Sequence, residues 1–335
     1  MKTLQSLLIL AVVCALPRSA FTTLHEVREV HYQMGTFLEM TLWHREPDVA
    51  KHLIRASIQE VHRLEEILSN FDPDSSVSRF NQEAGNGKIT LPPELYDILK
   101  IARQFSIATM GYFDVTVGPL VELWKDCLSL GHFADRSTLV RTLSKVGYKK
   151  LKLYKSGEAE LLLPGMKIDL GGIGKGYAVD RVVGRLKAAG MSSALINFGG
   201  SSFYAMGNPP NETAWKIGIQ GTDGRMRGVV YLRDLALSTS GTMGISWTVD
   251  GKQFGHLIDP KTGMPVSESR MATVIAPTAT AAEGLTKPLG LIGANALSML
   301  EGFAQAQAVV IPESGPLFFS KAFRSKSWWR EAHRQ

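Results

Sequence analysis

Cysteine is nearly absent. Cys14 and Cys127 are the only two in 335 residues, too few for a disulfide scaffold or a four-cysteine zinc site. Charge of one sign is also scarce. Lys and Arg total 37 against 31 Asp and Glu, and the +6 balance is scattered rather than striped. That argues against a nucleic-acid-binding surface, while a modest positive excess suits an anionic small ligand. No apolar run reaches the roughly 18 residues that a membrane span requires. Repeats and long linkers are missing too. What remains is a globular composition, 44% hydrophobic and 20% charged, which excludes a largely disordered chain and a coiled coil. The length suits one large domain or two ordinary ones, and a chain this long buries most of its surface without staples.

The first residues read as an address. Lys2 precedes an apolar run from Leu7 to Leu16, too short to cross a bilayer but suited to a signal-peptide core. Val13-Cys14-Ala15 and Ser19-Ala20 offer cleavage points, and Cys14 is placed like a lipoprotein cysteine. The expectation is an exported, periplasmic protein with residues 1–20 as signal peptide and Cys14 as a point of lipid attachment to the inner membrane. Cys127 would then have no partner for an intrachain disulfide.

Periodicity predicts the main elements. Phe37, Leu38, Met40 and Leu42 read as a strand, with Val30 upstream. Leu53, Ile54, Ile58, Val61, Leu64 and Leu68 recur at helical spacing behind Asp48 as a cap. A second helix carries Leu95, Ile98, Leu99, Ala102 and Phe105 after Pro92-Pro93. A third carries Val179, Val182, Val183 and Leu186 and stops at Gly190. Strands are expected at Ala194 to Phe198, Trp215 to Ile219 and Val229 to Leu232. A broken helix follows from Gly284 to Leu300, and a closing hairpin turns at Glu313-Ser314-Gly315. Strand and helix alternate without a strict βαβ rhythm, so the fold class is α+β, with mixed or antiparallel sheets and packed helices. The domain spans 28–323, and 324–335 form a basic tail that reads as a loose end.

Four glycine-rich or turn-rich segments could carry chemistry. The first is Asp169-Leu170-Gly171-Gly172-Ile173-Gly174-Lys175-Gly176, running to Asp180. It opens the third helix, where backbone N–H groups can approach an anion and Lys175 adds charge. It is neither a Walker loop, since Gly176 follows Lys175, nor a dinucleotide fingerprint, since Val179 takes the place of the third small residue. The second runs from Gly111-Tyr112-Phe113-Asp114 to Gly118. The third is Thr239-Ser240-Gly241, and the fourth is His256-Leu257-Ile258-Asp259-Pro260-Lys261-Thr262-Gly263. Each alone is a plausible turn. Together, several carboxylates, one His and one Lys suggest a diphosphate handled with a metal.

These segments, with Met34-Gly35-Thr36, Ser76-x-Ser78-x-x-Asn81 and Gly199-Gly200, resemble in order the FAD:protein FMN transferase family, the ApbE type. The resemblance runs from about residue 30 to about 323. It implies a single large domain of two lobes that binds FAD as substrate. The domain would move FMN to a Thr of a flavoprotein acceptor and release AMP, often outside the inner membrane. It implies that Met34, Phe71, Tyr112, Phe113 and Asp114 line the flavin or adenine pockets. Asp169 and Lys175 would face the ribose or diphosphate, and Ile258 would offer backbone to the cofactor. His256 becomes the candidate for taking the acceptor hydroxyl proton, with Lys175 as a second catalytic candidate.

The resemblance also implies magnesium, held between a carbonyl at Gly172 and an Asp and a Thr one helical turn apart. Here the run is Ala282-Glu283-Gly284-Leu285-Thr286-Lys287, so Glu283 and Lys287 stand at those places. A longer carboxylate suits a compact octahedral ion poorly, and an ammonium repels it. Thr286 is the remaining source of a hydroxyl. Two outcomes stay open: Lys287 neutralises the diphosphate itself, or the protein holds FAD without turning it over.

Overall fold

The computed structural model describes residues 23–242, 246–303, 305–321, 323 and 329–331. The leader with Cys14, and Met243-Gly244, lie outside these described residues. In chain order, a hairpin of β1 (His25–Gln33) and β2 (Thr36–His44) leads into α1 (Pro47–Leu68), α2 (Ser76–Gln82) and β3 (Ile89–Thr90). Next come α3 (Pro93–Ala108), α4 (Gly118–Leu130), α5 (Arg136–Leu143), β4 (Leu151–Leu153), β5 (Glu158–Leu161) and α6 (Gly174–Ala188). The second half is strand-rich: β6 (Ala194–Phe198), β7 (Ser202–Met206), β8 (Trp215–Gln220), β9 (Met226–Leu232), β10 (Leu235–Gly241), β11 (Ser246–Val249), β12 (Lys252–Gly255) and β13 (Arg270–Ala276). Helix α7 (Ala279–Ile292) continues as a 3-10 segment, Gly293–Gly302. Then β14 (Gln307–Pro312), β15 (Phe318–Phe319) and β16 (Trp329–Glu331) close the chain.

The core is an eight-stranded sheet in the order β1-β2-β6-β7-β10-β13-β14-β15. Among the described residues every pair of strands is antiparallel, so the sheet is not mixed. Alternation along its strands sorts side chains to two faces. Ala194, Ile196 and Phe198 of β6, Ala272 and Val274 of β13, and Ala308 and Val310 of β14 pack with α1, α3, α6 and α7. Leu237, Ile275, Val309 and Ile311 face the other way, onto Trp215, Ile217, Val230 and Leu232 of a small sheet ordered β16-β9-β8. The architecture is therefore α+β, with helices on one face and a second sheet on the other. The tail supplies an edge strand to that small sheet: Trp329–Glu331 pairs with β9 instead of hanging loose. Its indole covers Gly228, where a side chain would have collided with the ring.

Helix α1 buries Ala50, Ile54, Val61, Leu64 and Leu68, the stripe its periodicity predicts. It starts earlier than the sequence suggests. Pro47 takes the first helical position after Glu46, and Asp48 lies in the first turn, where its charge favours the helix dipole without capping it. Helix α7 passes through Pro288 and gives way at Gly293 (φ +62°).

Helices α6 and α7 brace each other by exchanging carboxylates at their N-terminal turns. Asp180 of α6 accepts from the N–H groups of Ala279 (2.7 Å) and Thr280 (2.9 Å) and from the Thr280 hydroxyl. Glu283 of α7 accepts from Gly176 N–H at 2.6 Å. Each carboxylate satisfies donors that the partner helix leaves unpaired in its first turn. The approach is close enough that a Cβ on Gly176 would sit 2.5 Å from the Ala279 carbonyl oxygen. Gly184, two turns further along α6, has nothing within 4 Å.

These two glycines give opposite expectations. Gly184→Ala raises stability by up to about 1 kcal/mol, the helix-propensity gain. Gly176→Ala loses about 2 kcal/mol because backbone must separate. Urea unfolding of both variants checks this; a gain at Gly176 would mean the helices are not in contact there.

Candidate active site

A cleft of about 250 Å³ opens where the glycine-rich turn before α6 meets α7 and two loops. Tyr112 to Val115 and Asp169 to Gly172 form its floor. Trp247 and His256 to Pro260 form one wall, and Lys287 and Leu291 of α7 the other. A second, polar depression of about 260 Å³ adjoins it, with Asn70, Ser78, Asn81, Lys125 and Lys167 around it. The two share Val121 and Asp169.

Asparagines hold the floor. Asn70 and Asn81 both donate to the Ile168 carbonyl, and their side-chain oxygens accept from Leu170 N–H (3.1 Å) and Ile168 N–H (2.6 Å). Asn81 stands on α2, whose N-terminus is capped by Ser75 accepting from Ser78 N–H. Asp169 N–H donates to Val115 carbonyl, tying the two floor segments together. The Asp169 carboxylate accepts from Gly171 N–H at 2.8 Å and so shapes the glycine turn. Asp114 is committed likewise. It accepts from Thr116 N–H and hydroxyl and from Tyr148 N–H. Burial pushes both carboxyls above their usual range despite these bonds.

The fourth wall segment is the turn its sequence predicts. Gly263 N–H returns to the Asp259 carbonyl, Gly263 lies at φ +73°, and Trp124 donates to the Gly263 carbonyl at 2.7 Å. This directs Ile258 and Pro260 at the cleft and sets Lys261 over the Tyr112 ring, 3.6 Å from its centre. Phe113 is buried edge-on against Phe105.

Lys175, Glu283 and Lys287 form the charged corner. The Glu283 side chain is 2% exposed and pairs with Lys175 at 2.8 Å, whose side chain is 26% exposed. Burial pushes the Glu283 carboxyl up, but the fields of Lys175 and Lys287 and the Lys175 and Gly176 hydrogen bonds outweigh it and hold it below the usual range. Lys287 lies one turn beyond Glu283 on the same face of α7 and reaches over Gly172. A Cβ there would be 3.3 Å from its Cε. Burial, aided by Lys175, lowers the Lys287 ammonium to about 8 against the pull of Glu283.

The corner does not fit a magnesium ion. The Glu283 oxygens already accept from the Lys175 ammonium and from Gly176 N–H, so a cation there would compete with a lysine. The Thr286 hydroxyl is buried and donates to the Glu283 carbonyl at 2.7 Å, within its own helix. Among the described residues no three His, Cys, Asp or Glu side chains gather to hold an ion. A site bordered by two ammonium groups and one carboxylate has the wrong charge for a divalent cation.

The structure thus brings Tyr112, Phe113, Asp114, Asp169, Gly172, His256, Ile258 and Lys287 to one cleft. Lys175 stands behind it, facing Glu283. Met34 and Phe71 stand outside the cleft lining. Met34 occupies the β1–β2 turn at φ +47°, its N–H bonded to Glu65. Phe71 is 87% exposed, with Lys125 over its ring beside the polar depression. Trp247 and Leu291 line the cleft but carry no motif. Trp247 had one available signal, as the tryptophan between Thr239-Ser240-Gly241 and His256. The Thr-Ser-Gly segment is scaffold: the Thr239 hydroxyl meets that of Thr273 across β10 and β13.

The fold is that of solved flavin transferases. "Flavin Transferase ApbE from Vibrio cholerae" aligns with a TM-score of 0.80 at 24% identity, covering 90% of this chain and 99% of that one. The ApbE family model matches residues 34–311, and the chain belongs to the ApbE family. It is similar to the FAD:protein FMN transferase of Klebsiella pneumoniae, 28% identical over 308 residues and 87% of each chain. It is also similar to that of Haemophilus influenzae, 32% identical over 243 residues and 68% of each.

Glu283→Gln tests the charged corner. It keeps an acceptor for Gly176 but strands two cations, and the expected cost is about 3 kcal/mol. An unchanged urea midpoint would mean that the pair does not join α6 to α7.

Proposed function

We propose that this chain is an FAD:protein FMN transferase, which binds FAD, moves FMN to a threonine hydroxyl of a flavoprotein acceptor and releases AMP. Family membership and the named activity of its relatives support the reading. The single observation that carries it here is the convergence of Tyr112–Asp114, Asp169–Gly172, His256–Pro260 and Lys287 on one cleft.

The chemistry is an in-line displacement at phosphorus. The threonine oxygen bonds to the phosphorus on the riboflavin side, and the bridging P–O bond to AMP breaks. His256 takes the hydroxyl proton, and AMP leaves with the bridging oxygen. Such a reaction needs positioning and charge neutralisation more than covalent help. Tyr112 and Trp247 offer ring faces and Ile258 an apolar contact to the flavin end. Lys287 and the backbone at Gly172 face the diphosphate.

A protein that only holds FAD is the second reading, and the occupied Glu283 carboxylate favours it. It predicts bound FAD with no AMP. For location we propose export, supported by the Leu7–Leu16 run and by Cys14 as a lipid attachment point; both rest on sequence alone.

Incubation with FAD and an acceptor carrying a target threonine decides between the readings. Transfer predicts an FMN-sized mass gain on the acceptor and equimolar AMP. Retained FAD without either product would establish the holding protein. His256→Gln is expected to slow transfer about 100-fold while FAD affinity is kept; an unchanged rate would remove His256 from proton transfer.

A further inference from the structure

We propose that the Lys287 ammonium supplies the positive charge at the FAD diphosphate, so that neither binding nor transfer in this protein requires a divalent cation. The proposal deepens the transferase reading and rests on it for its catalytic half.

Geometry carries it. Lys287 is the cleft-lining cation of α7, with Leu291 one turn further along the same wall. It overhangs Gly172, on the turn whose N–H groups open α6. A diphosphate seated at that turn would meet the positive end of the α6 dipole and an ammonium from the side. Glu283 does not cancel this charge by direct contact, because its two oxygens are spent on Lys175 and Gly176. Lys175 and Glu283 neutralise each other, leaving Lys287 as the surplus charge of the three. Of the cleft carboxylates, Asp114 accepts from Thr116 and Tyr148, and Asp169 gives one oxygen to Gly171 N–H. An ammonium standing where a ligand would approach repels a cation, so the same side chain both excludes the metal and replaces it. During transfer Lys287 forms and breaks no bond. It only balances charge on the phosphoryl oxygens while the proton goes to His256 and AMP departs.

The test measures FAD affinity by flavin fluorescence quenching, alongside acceptor mass, each in magnesium and in EDTA. Wild-type protein is expected to bind FAD equally in both buffers. Lys287→Met is expected to lose about tenfold or more in affinity. Lys287→Gln and thermal melting of both variants establish that the fold survives. The double variant Glu283→Asp, Lys287→Thr is expected to gain magnesium-dependent FAD binding. Affinity that collapses in EDTA for the wild type, or a folded Lys287→Met that binds FAD normally, would overturn the proposal. Absence of transfer in both buffers, with Lys287-dependent binding intact, would overturn the transferase reading while upholding the charge assignment.

Discussion

The exchange of carboxylates between α6 and α7 is the constraint on which the site depends. Two helix N-termini, each rich in unpaired N–H groups, approach so closely that Gly176 admits no side chain against Ala279. Neither start could be buried without acceptors. Asp180 and Glu283 supply them in opposite directions. Three hydrogen bonds hold Asp180 in place, while burial pushes its carboxyl up. Glu283 has Lys175 as well. The bracing therefore settles which face of α7 looks into the cleft, and Lys287 follows one turn later.

Around that corner the cleft is held by polar side chains acting on backbone. Asn70 and Asn81 grip Ile168 and Leu170, while Asp169 and Asp114 shape their own loops. Groups that read as ligand contacts in the sequence serve first as fasteners. Lys287 then lines the cleft as a cation, with Lys261 over the Tyr112 ring. Such a site suits a reaction in which geometry and one counter-charge lower the barrier.

Much of this was legible in the sequence because local signals and tertiary packing agree. The helix of α1, the strand from Ala194 to Phe198 and the stop of α6 at Gly190 (φ +76°) are all present as read. So is the Asp259-to-Gly263 turn. The resemblance named the family and located the cleft segments. It did not reveal that Lys175 turns to Glu283, because two helices a hundred residues apart in sequence meet only in the fold. Asp48 looked like a cap because capping chemistry is short and common, whereas Pro47 sets the start. Met34 and Phe71 are not among the residues that line the cleft, one lying in the β1–β2 turn and the other exposed beside the polar depression. Trp247 had no motif to mark it, and the antiparallel order of the main sheet is a property of long-range pairing that periodicity does not encode.

The most direct measurement is a crystal structure of the protein with FAD grown in EDTA. The account predicts the diphosphate over the Gly171-Gly172 turn, with Lys287 Nζ at about 2.8 Å from a phosphoryl oxygen and Glu283 still paired with Lys175. A diphosphate bound elsewhere, or Lys287 swung away while Glu283 leaves Lys175 to hold an ion, would contradict it.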